Sequence, residues 1–130
     1  MIILAVVLVG CGAKQQKIID AHNKIVAAET TYSGEVQTAL KGDNLPATIQ
    51  AVKRYLDVVQ NSNTEGLPED YIQAIKELEG SLNETIIFLE SVNDPARVDL
   101  QKLQELDGKR LTATMHLNGA ARNNGLEIQR

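Results

Sequence analysis

The sequence is poor in aromatic residues, with no tryptophan, one phenylalanine and three tyrosines among 130 residues. It also has no excess of positive charge, since 13 lysines and arginines are outnumbered by 17 aspartates and glutamates. Proteins that bind nucleic acid need a basic surface to displace counterions, and binding to single strands adds aromatic rings that stack on bases. The composition therefore argues against a nucleic-acid partner.

Cysteine occurs once, at position 11, so the chain cannot form an internal disulfide or a Cys-pair metal motif. Charged residues are absent up to this cysteine, and an apolar run, Ile2 to Val9, precedes it. As a helix the run would rise only about 12 Å, whereas about 20 apolar residues are needed to cross a bilayer. Its length is typical of the apolar core of an export signal, about 7–15 residues.

The segment Leu8-Val9-Gly10-Cys11 resembles the bacterial lipobox, in which an aliphatic, a variable and a small residue precede the cysteine. The resemblance implies that residues 1–10 are a lipoprotein signal peptide and that cleavage occurs before Cys11. The Cys11 thiol and the new amino terminus would then carry acyl chains such as palmitate, and two or more chains anchor a protein stably. Residues 11–130 would form a lipid-anchored domain in the cell envelope, outside the cytoplasm.

Two residues beside this motif refine the interpretation. Gly12, in place of an aspartate after the cysteine, implies sorting to the outer membrane, facing the periplasm, if the organism is Gram-negative. No basic residue follows Met1, although export signals normally begin with a basic stretch, and we interpret this as a start codon assigned too late.

Beyond Cys11 the apolar residues recur in steps of three and four, which predicts helices rather than strands. We predict a first helix over about Lys14–Lys41, a second and a third that open at Pro46 and Pro68, and a fourth with Asp94 as N-cap and Pro95 at its first position. Short polar linkers favour an all-α, antiparallel up-down-up-down four-helix bundle. The predicted core stripes are Ile18, His22, Ile25, Tyr32, Val36 and Ala39 in the first helix; Leu45, Ile49, Val52, Leu56 and Val59 in the second; Tyr71, Ile75, Leu78, Leu82, Ile86 and Leu89 in the third; and Leu100, Leu103, Leu106, Ala113, Leu117 and Ala120 in the fourth.

Glycines interrupt three of these helices, at Gly34, Gly80 and Gly108. Each glycine costs about 1 kcal/mol relative to alanine in a helix interior. The sequence leaves open whether the first helix breaks at Gly34.

His22 stands on the core stripe of the first helix, and we expect it to be a hydrogen-bonded core or boundary residue. A runner-up hypothesis is a haem- or metal-binding bundle, in which His22 pairs with Met115 or His116 near the end of the fourth helix. The angular test opposes this pairing, because His116 points roughly 120° away from the predicted core face and Met115 further still.

The end of the third helix is apolar all round, since Ile87, Phe88 and Val92 lie off the core stripe. Such a turn either packs under the N-terminal overhang of the first helix or presents a surface to a partner protein, and Phe88, well over 90° from the centre of the stripe, is the expected centre of a partner contact. The sequence contains no serine-nucleophile elbow or phosphate-binding glycine loop. We therefore expect a non-enzymatic, membrane-anchored interaction or structural module without a cofactor, in contact with the membrane and with an envelope protein.

Overall fold

The computed structural model describes residues 2–3, 12–42 and 44–128, and in these residues the fold is all-α with four helices. The helices are α1 (Gly12–Lys41), α2 (Leu45–Gln60), α3 (Glu69–Glu90) and α4 (Leu100–Asn123), and a 3₁₀ turn, Pro95–Arg97, precedes α4. A two-residue antiparallel pair joins β1 (Ile2–Ile3) to β2 (Glu127–Ile128). The predicted helical class and the four helices are confirmed.

The predicted start of the fourth helix is wrong by five residues. Asp94 does act as a cap, but its carboxylate accepts a hydrogen bond from the Ala96 backbone N–H and so caps only the 3₁₀ turn. The backbone is extended at Val98, and α4 begins after a second cap, in which Asp99 accepts a hydrogen bond from the Lys102 N–H at 3.0 Å. Two aspartates offer the same capping chemistry, and only the second is followed by a long helical run.

The glycines do not break their helices. α1, α3 and α4 are continuous through Gly34, Gly80 and Gly108, all three of which are exposed. The helical propensity lost at each glycine is small compared with the packing of the buried faces on either side.

Helices that follow each other in the chain pack closely against each other. α1 packs closely against α2, α2 against α3 and α3 against α4, whereas α1 and α4 are joined chiefly by side chains. Between α3 and α4, Glu77 meets His116 and Glu84 meets Lys109, so rising numbers in one helix meet falling numbers in the other. This is the order that antiparallel neighbours in a bundle give.

At one end of the bundle, two glycine-containing segments lie against the first turns of α1. Gly66, in the loop before α3, has a φ of +81° and lies against Lys17, where a Cβ atom would come within 2.8 Å of Nζ. Gly125, after α4, has a φ of +95° and lies against Gln15 at a similarly short distance, 2.6 Å. Glycine supplies both the left-handed conformation and the close approach. The loop before α3 and the chain after α4 therefore meet at the beginning of α1.

The predicted core is confirmed most fully in α3, where all six residues of the stripe are buried. In α4 the stripe is buried from Leu106 onward, but Leu103 is only half-buried and Leu100 is 68 % exposed. Leu100 is the first residue of α4, directly after the segment that follows the 3₁₀ turn, and the apolar period continues there beyond the part of the helix that is covered. The prediction that Leu100 belongs to the core is therefore wrong.

Candidate functional site

Arg110 is buried in the core of the bundle, with 8 % of its surface exposed. It continues the spacing of the α4 stripe between Leu106 and Ala113. On α1, Glu29 lies between Ile25 and Tyr32 in the same way. Two charged residues thus stand at apolar spacing on the first and last helices, and they face each other.

The Arg110 guanidinium holds two carboxylates. Its Nη1 donates a hydrogen bond to Glu29 Oε1 at 2.8 Å, and its Nε donates to Asp107 Oδ1 at 2.9 Å. The guanidinium carbon also lies 5.2 Å from the centre of the Tyr32 ring, a cation–π distance. Burial alone lowers the pKa of Arg110, but the hydrogen bond and charge of Asp107, with the Glu29 charge, outweigh it and raise the pKa. Arg110 is therefore a positive charge fixed inside the bundle.

Two further polar side chains surround this ion pair. The Thr114 hydroxyl lies 3.0 Å from the Arg110 carbonyl oxygen and 3.4 Å from Glu29 Oε1. The Tyr55 ring packs against the Tyr32 ring with centroids 5.2 Å apart, and the Tyr55 hydroxyl is buried without a partner among the described residues. Burial raises the pKa of both tyrosines, so both hydroxyls are protonated at neutral pH.

A cavity of about 340 Å³ lies beside Arg110. Ligand pockets in proteins usually measure about 300–1,000 Å³, so this one is at the small end of that range. We call it the Arg110 cavity. Its lining comes from all four helices and consists of Tyr32, Val36, Thr48, Val52, Thr85, Leu89, Leu103, Gln104, Asp107, Gly108, Arg110 and Leu111.

His22 forms a second buried polar centre, between α1 and the start of α3. Its Nδ1 lies 2.7 Å from the Tyr71 hydroxyl, and its Nε2 is buried without a partner among the described residues. Burial lowers the pKa of His22 to about 4, and the neighbouring Asn118 side chain opposes part of that shift. The ring is therefore neutral at pH 7. The structure places His22 in the core with a hydrogen bond, as the sequence predicts.

The structure does not bring His22 together with Met115 or His116. His22 is 1 % exposed, whereas Met115 is 70 % exposed on the outer face of α4. The exposed His116 side chain pairs with Glu77 of α3, its Nδ1 2.5 Å from Glu77 Oε2. The runner-up hypothesis of a shared haem or metal site therefore has no support from the geometry. In α4, Ala113 and Leu117 face the core, whereas Met115 and His116 lie between them in the chain and face outward. Among the residues the structure describes, no three His, Cys, Asp or Glu side chains group closely enough to hold a metal ion.

The apolar turn at the end of α3 is only partly exposed. Ile87 is 69 % exposed, whereas Phe88 and Val92 are half-buried and Phe88 packs against the edge of the core. We call these three residues the Ile87 surface. The interpretation of Phe88 as the centre of a partner contact shifts to Ile87, since Ile87 is the member of the group that a partner can reach most fully. A partner at this surface stays a prediction.

Neither the buried position of Arg110 nor the cavity beside it was predicted from the sequence. The signal was present, because Arg110 falls on the step between Leu106 and Ala113 and Glu29 falls on the step between Ile25 and Tyr32. A charged residue at core spacing on each of two helices is the pattern of a buried ion pair. Spacing does not show which two helices face each other, so the pairing itself needed the structure.

Cys11, the predicted lipidation residue, lies outside the described residues, so its surroundings are not part of the site geometry. Within the residues described, none of the helices has the length and apolar character needed to cross a membrane. Comparison of the chain with protein-family models, with curated proteins and with solved structures gives no match.

Proposed function

We propose that this protein is a bacterial lipoprotein, anchored to a membrane of the cell envelope through lipid on Cys11, and that its helical bundle is a binding or structural module. The observation that carries the proposal is the lipobox-like segment Leu8-Val9-Gly10-Cys11, which ends immediately before the first residue of α1. Cleavage before Cys11 would leave all four helices in the mature chain, and among the described contacts it would remove the pairing of Ile2–Ile3 with Glu127–Ile128.

The fold supports a definite orientation for such an anchor. Cys11 is covalently joined to Gly12, where α1 begins, so the acyl chains would leave the bundle at the end where α1 starts. The Arg110 cavity includes Val36, which is 24 residues further along α1, or about 36 Å at 1.5 Å per residue. The anchor and the cavity would thus lie at opposite ends, with the cavity directed away from the bilayer.

Mass spectrometry of the chain expressed in a bacterium with lipoprotein-processing enzymes tests the anchor. We expect the mature protein to begin at Cys11, to carry acyl and diacylglyceryl masses, and to partition into the detergent phase. Cys11→Ala is the matched control and is expected to keep residues 1–10 and carry no lipid. A wild-type chain that retains Met1, or an unmodified Cys11 thiol, would overturn the assignment.

The module itself is proposed to contact an envelope protein through the Ile87 surface. Ile87→Asp changes a mostly exposed side chain, so we expect it to weaken that contact without loss of folding. Leu100→Asp, at an equally exposed leucine on α4, is the matched control. Crosslinking in intact cells measures the contact, and crosslinking equally efficient in wild type and Ile87→Asp would remove this surface from the proposal.

A further inference from the structure

We propose that the Arg110 cavity binds a small, uncharged, mainly apolar molecule that carries one hydrogen-bond acceptor, such as a carbonyl oxygen. The inference goes beyond membrane anchoring and does not depend on it, because no residue of the cavity belongs to the segment around Cys11. Three features carry it: the apolar walls contributed by all four helices, the unused donors and the charges beside the cavity.

Apolar side chains from all four helices form most of the cavity wall. They are Val36 of α1, Val52 of α2, Leu89 of α3, and Leu103 and Leu111 of α4. An apolar molecule that enters loses contact with water on several sides at once, which is the main driving force for binding in concave sites. Among the helices that line the cavity, α1 and α4 are not closely packed through their backbones.

Two hydrogen-bond donors at the wall have no acceptor among the described residues. Nη2 of Arg110 is not used in the bonds to Glu29 and Asp107, and the Tyr32 hydroxyl has no hydrogen-bond partner among the described residues. Both residues are 8 % exposed and line the cavity, but neither of these two atoms is among the fully buried polar atoms that lack a partner, so both are reached by water. An acceptor on a ligand would replace that water at these donors.

The two threonines of the lining do not offer a further hydrogen-bond donor to a ligand. The Thr48 hydroxyl donates to the Asn44 carbonyl oxygen, and the Thr85 hydroxyl donates to the Ser81 carbonyl oxygen. Both can therefore only accept a further hydrogen bond. The donors that remain in the cavity are those of Arg110 and Tyr32 together with the exposed Gln104 amide at the rim, so the ligand must bring an acceptor.

The charges beside the cavity favour an uncharged ligand. Arg110 carries one positive charge and pairs with two carboxylates, those of Glu29 and Asp107, so the group has a net charge of −1. An anion would be repelled by this net charge, and a cation would gain little from it, because the Asp107 carboxylate is half-exposed and its charge is screened by water. Either ion would also lose its hydration on entering an apolar site, which a neutral carbonyl compound avoids in large part.

An uncharged acyl-(dimethylamino)naphthalene dye is a suitable probe, because it carries one carbonyl acceptor and its emission shifts to the blue in apolar surroundings. The full chain with Cys11→Ser, which carries no lipid, is titrated with this dye. We expect a saturable blue shift with one site per chain. We also expect naphthalene carboxylate and naphthylmethylammonium to compete at least about ten-fold more weakly than uncharged acetylnaphthalene.

Two matched pairs of variants locate the site. Val36→Phe fills the cavity and is expected to weaken dye binding by about ten-fold or more, whereas Val26→Phe, at a half-buried valine of α1 outside the cavity, leaves it unchanged. Tyr32→Phe removes a donor and is expected to weaken binding by about two- to ten-fold. Tyr55→Phe removes the neighbouring hydroxyl, which is not in the lining, and leaves binding unchanged.

If Val36→Phe loses cooperative unfolding, Leu111→Trp at the half-exposed mouth takes its place, with Leu100→Trp as the control. Absence of saturable binding to the wild-type cavity would overturn the proposal. So would equal binding by wild type and a folded cavity-filling variant, since the dye would then lie elsewhere. Tighter competition by either charged analogue than by the uncharged one would overturn the chemical class.

Discussion

His22 and Arg110 are both polar residues at core spacing in their helices, but their surroundings differ. His22 is neutral, is held by the Tyr71 hydroxyl and lies in the half of the bundle where the loop before α3 and the chain after α4 meet α1. Arg110 is charged, is held by Glu29 and Asp107 and lies beside a cavity. The two centres divide the bundle into a His22 half and an Arg110 half.

How closely the surrounding residues enclose each of these polar side chains depends on the chemistry of the side chain. A neutral imidazole needs one or two hydrogen bonds, so apolar residues can enclose it closely. A guanidinium has five donors and a fixed charge, so it needs carboxylates, and these keep part of their surface in water. Glu29 has a side chain that is 22 % exposed, and Asp107 one that is 49 % exposed. The Arg110 half is therefore the more open one.

Two leucines of α4 test whether the His22 half is the better packed. Leu117→Ala is expected to lower the free energy of unfolding by about 3–4 kcal/mol, because Leu117 is 1 % exposed and its loss leaves a cavity. Leu103→Ala, at the half-buried wall of the Arg110 cavity, is expected to cost about 1 kcal/mol. Urea unfolding measures both. Equal losses would show that the two halves are packed alike.

The ion pair is expected to give the next largest effect. Arg110→Leu leaves the Glu29 carboxylate buried without its partner, and we expect a loss of about 2–3 kcal/mol in unfolding free energy, since the carboxylate is still partly hydrated. The double variant Arg110→Leu/Glu29→Leu should regain most of that loss, and Asp107→Asn, at an exposed carboxylate, should change stability by less than about 1 kcal/mol. Additive effects of Arg110→Leu and Glu29→Leu would mean that the pair is not coupled.

The pH dependence of the unfolding free energy distinguishes the neutral His22 centre from the charged Arg110 centre, and this effect is expected to be smaller than the loss of the ion pair. The folded pKa of His22, about 4, is below the ordinary value of 6.5, so as the pH falls the unfolded chain takes up the proton first and stability is lost. Between pH 7.5 and 5.5 the loss should be about 1.3 kcal/mol. In His22→Gln this part of the pH dependence should vanish, whereas His116→Gln should retain it. A wild-type unfolding free energy that is flat over this range would contradict a buried neutral ring.

Much of the fold was predictable from the sequence, and the errors have identifiable causes. The stripe in α3 was predicted fully, because α3 packs on α2 and on α4 and its apolar face is covered along its whole length. The start of α4 was misplaced because Asp94 and Asp99 are equally good caps. Leu100 was placed in the core because spacing says which residues share a face, and it does not say how far a neighbouring helix reaches.

The candidate site was much less predictable than the fold. His22 was found because a lone histidine on an apolar stripe is conspicuous, and its expected hydrogen bond is present with Tyr71. The structure does not bring it together with the runner-up partners on α4, since His116 and Met115 are exposed, in the sense that the angular test indicates. The Arg110 cavity was missed because a cavity is a property of the space between helices.

By itself the sequence determined four helices, their approximate lengths, most of the buried positions and the lipobox-like segment that ends at Cys11. These depend on local chemistry, namely the period of the apolar residues, the capping side chains and a short motif. The tertiary structure alone decided that Glu29 meets Arg110 across the bundle, that His22 meets Tyr71, and that a cavity lined by all four helices lies beside Arg110. Those outcomes depend on how closely helices distant in the chain approach each other, which is set by the packing of all four together.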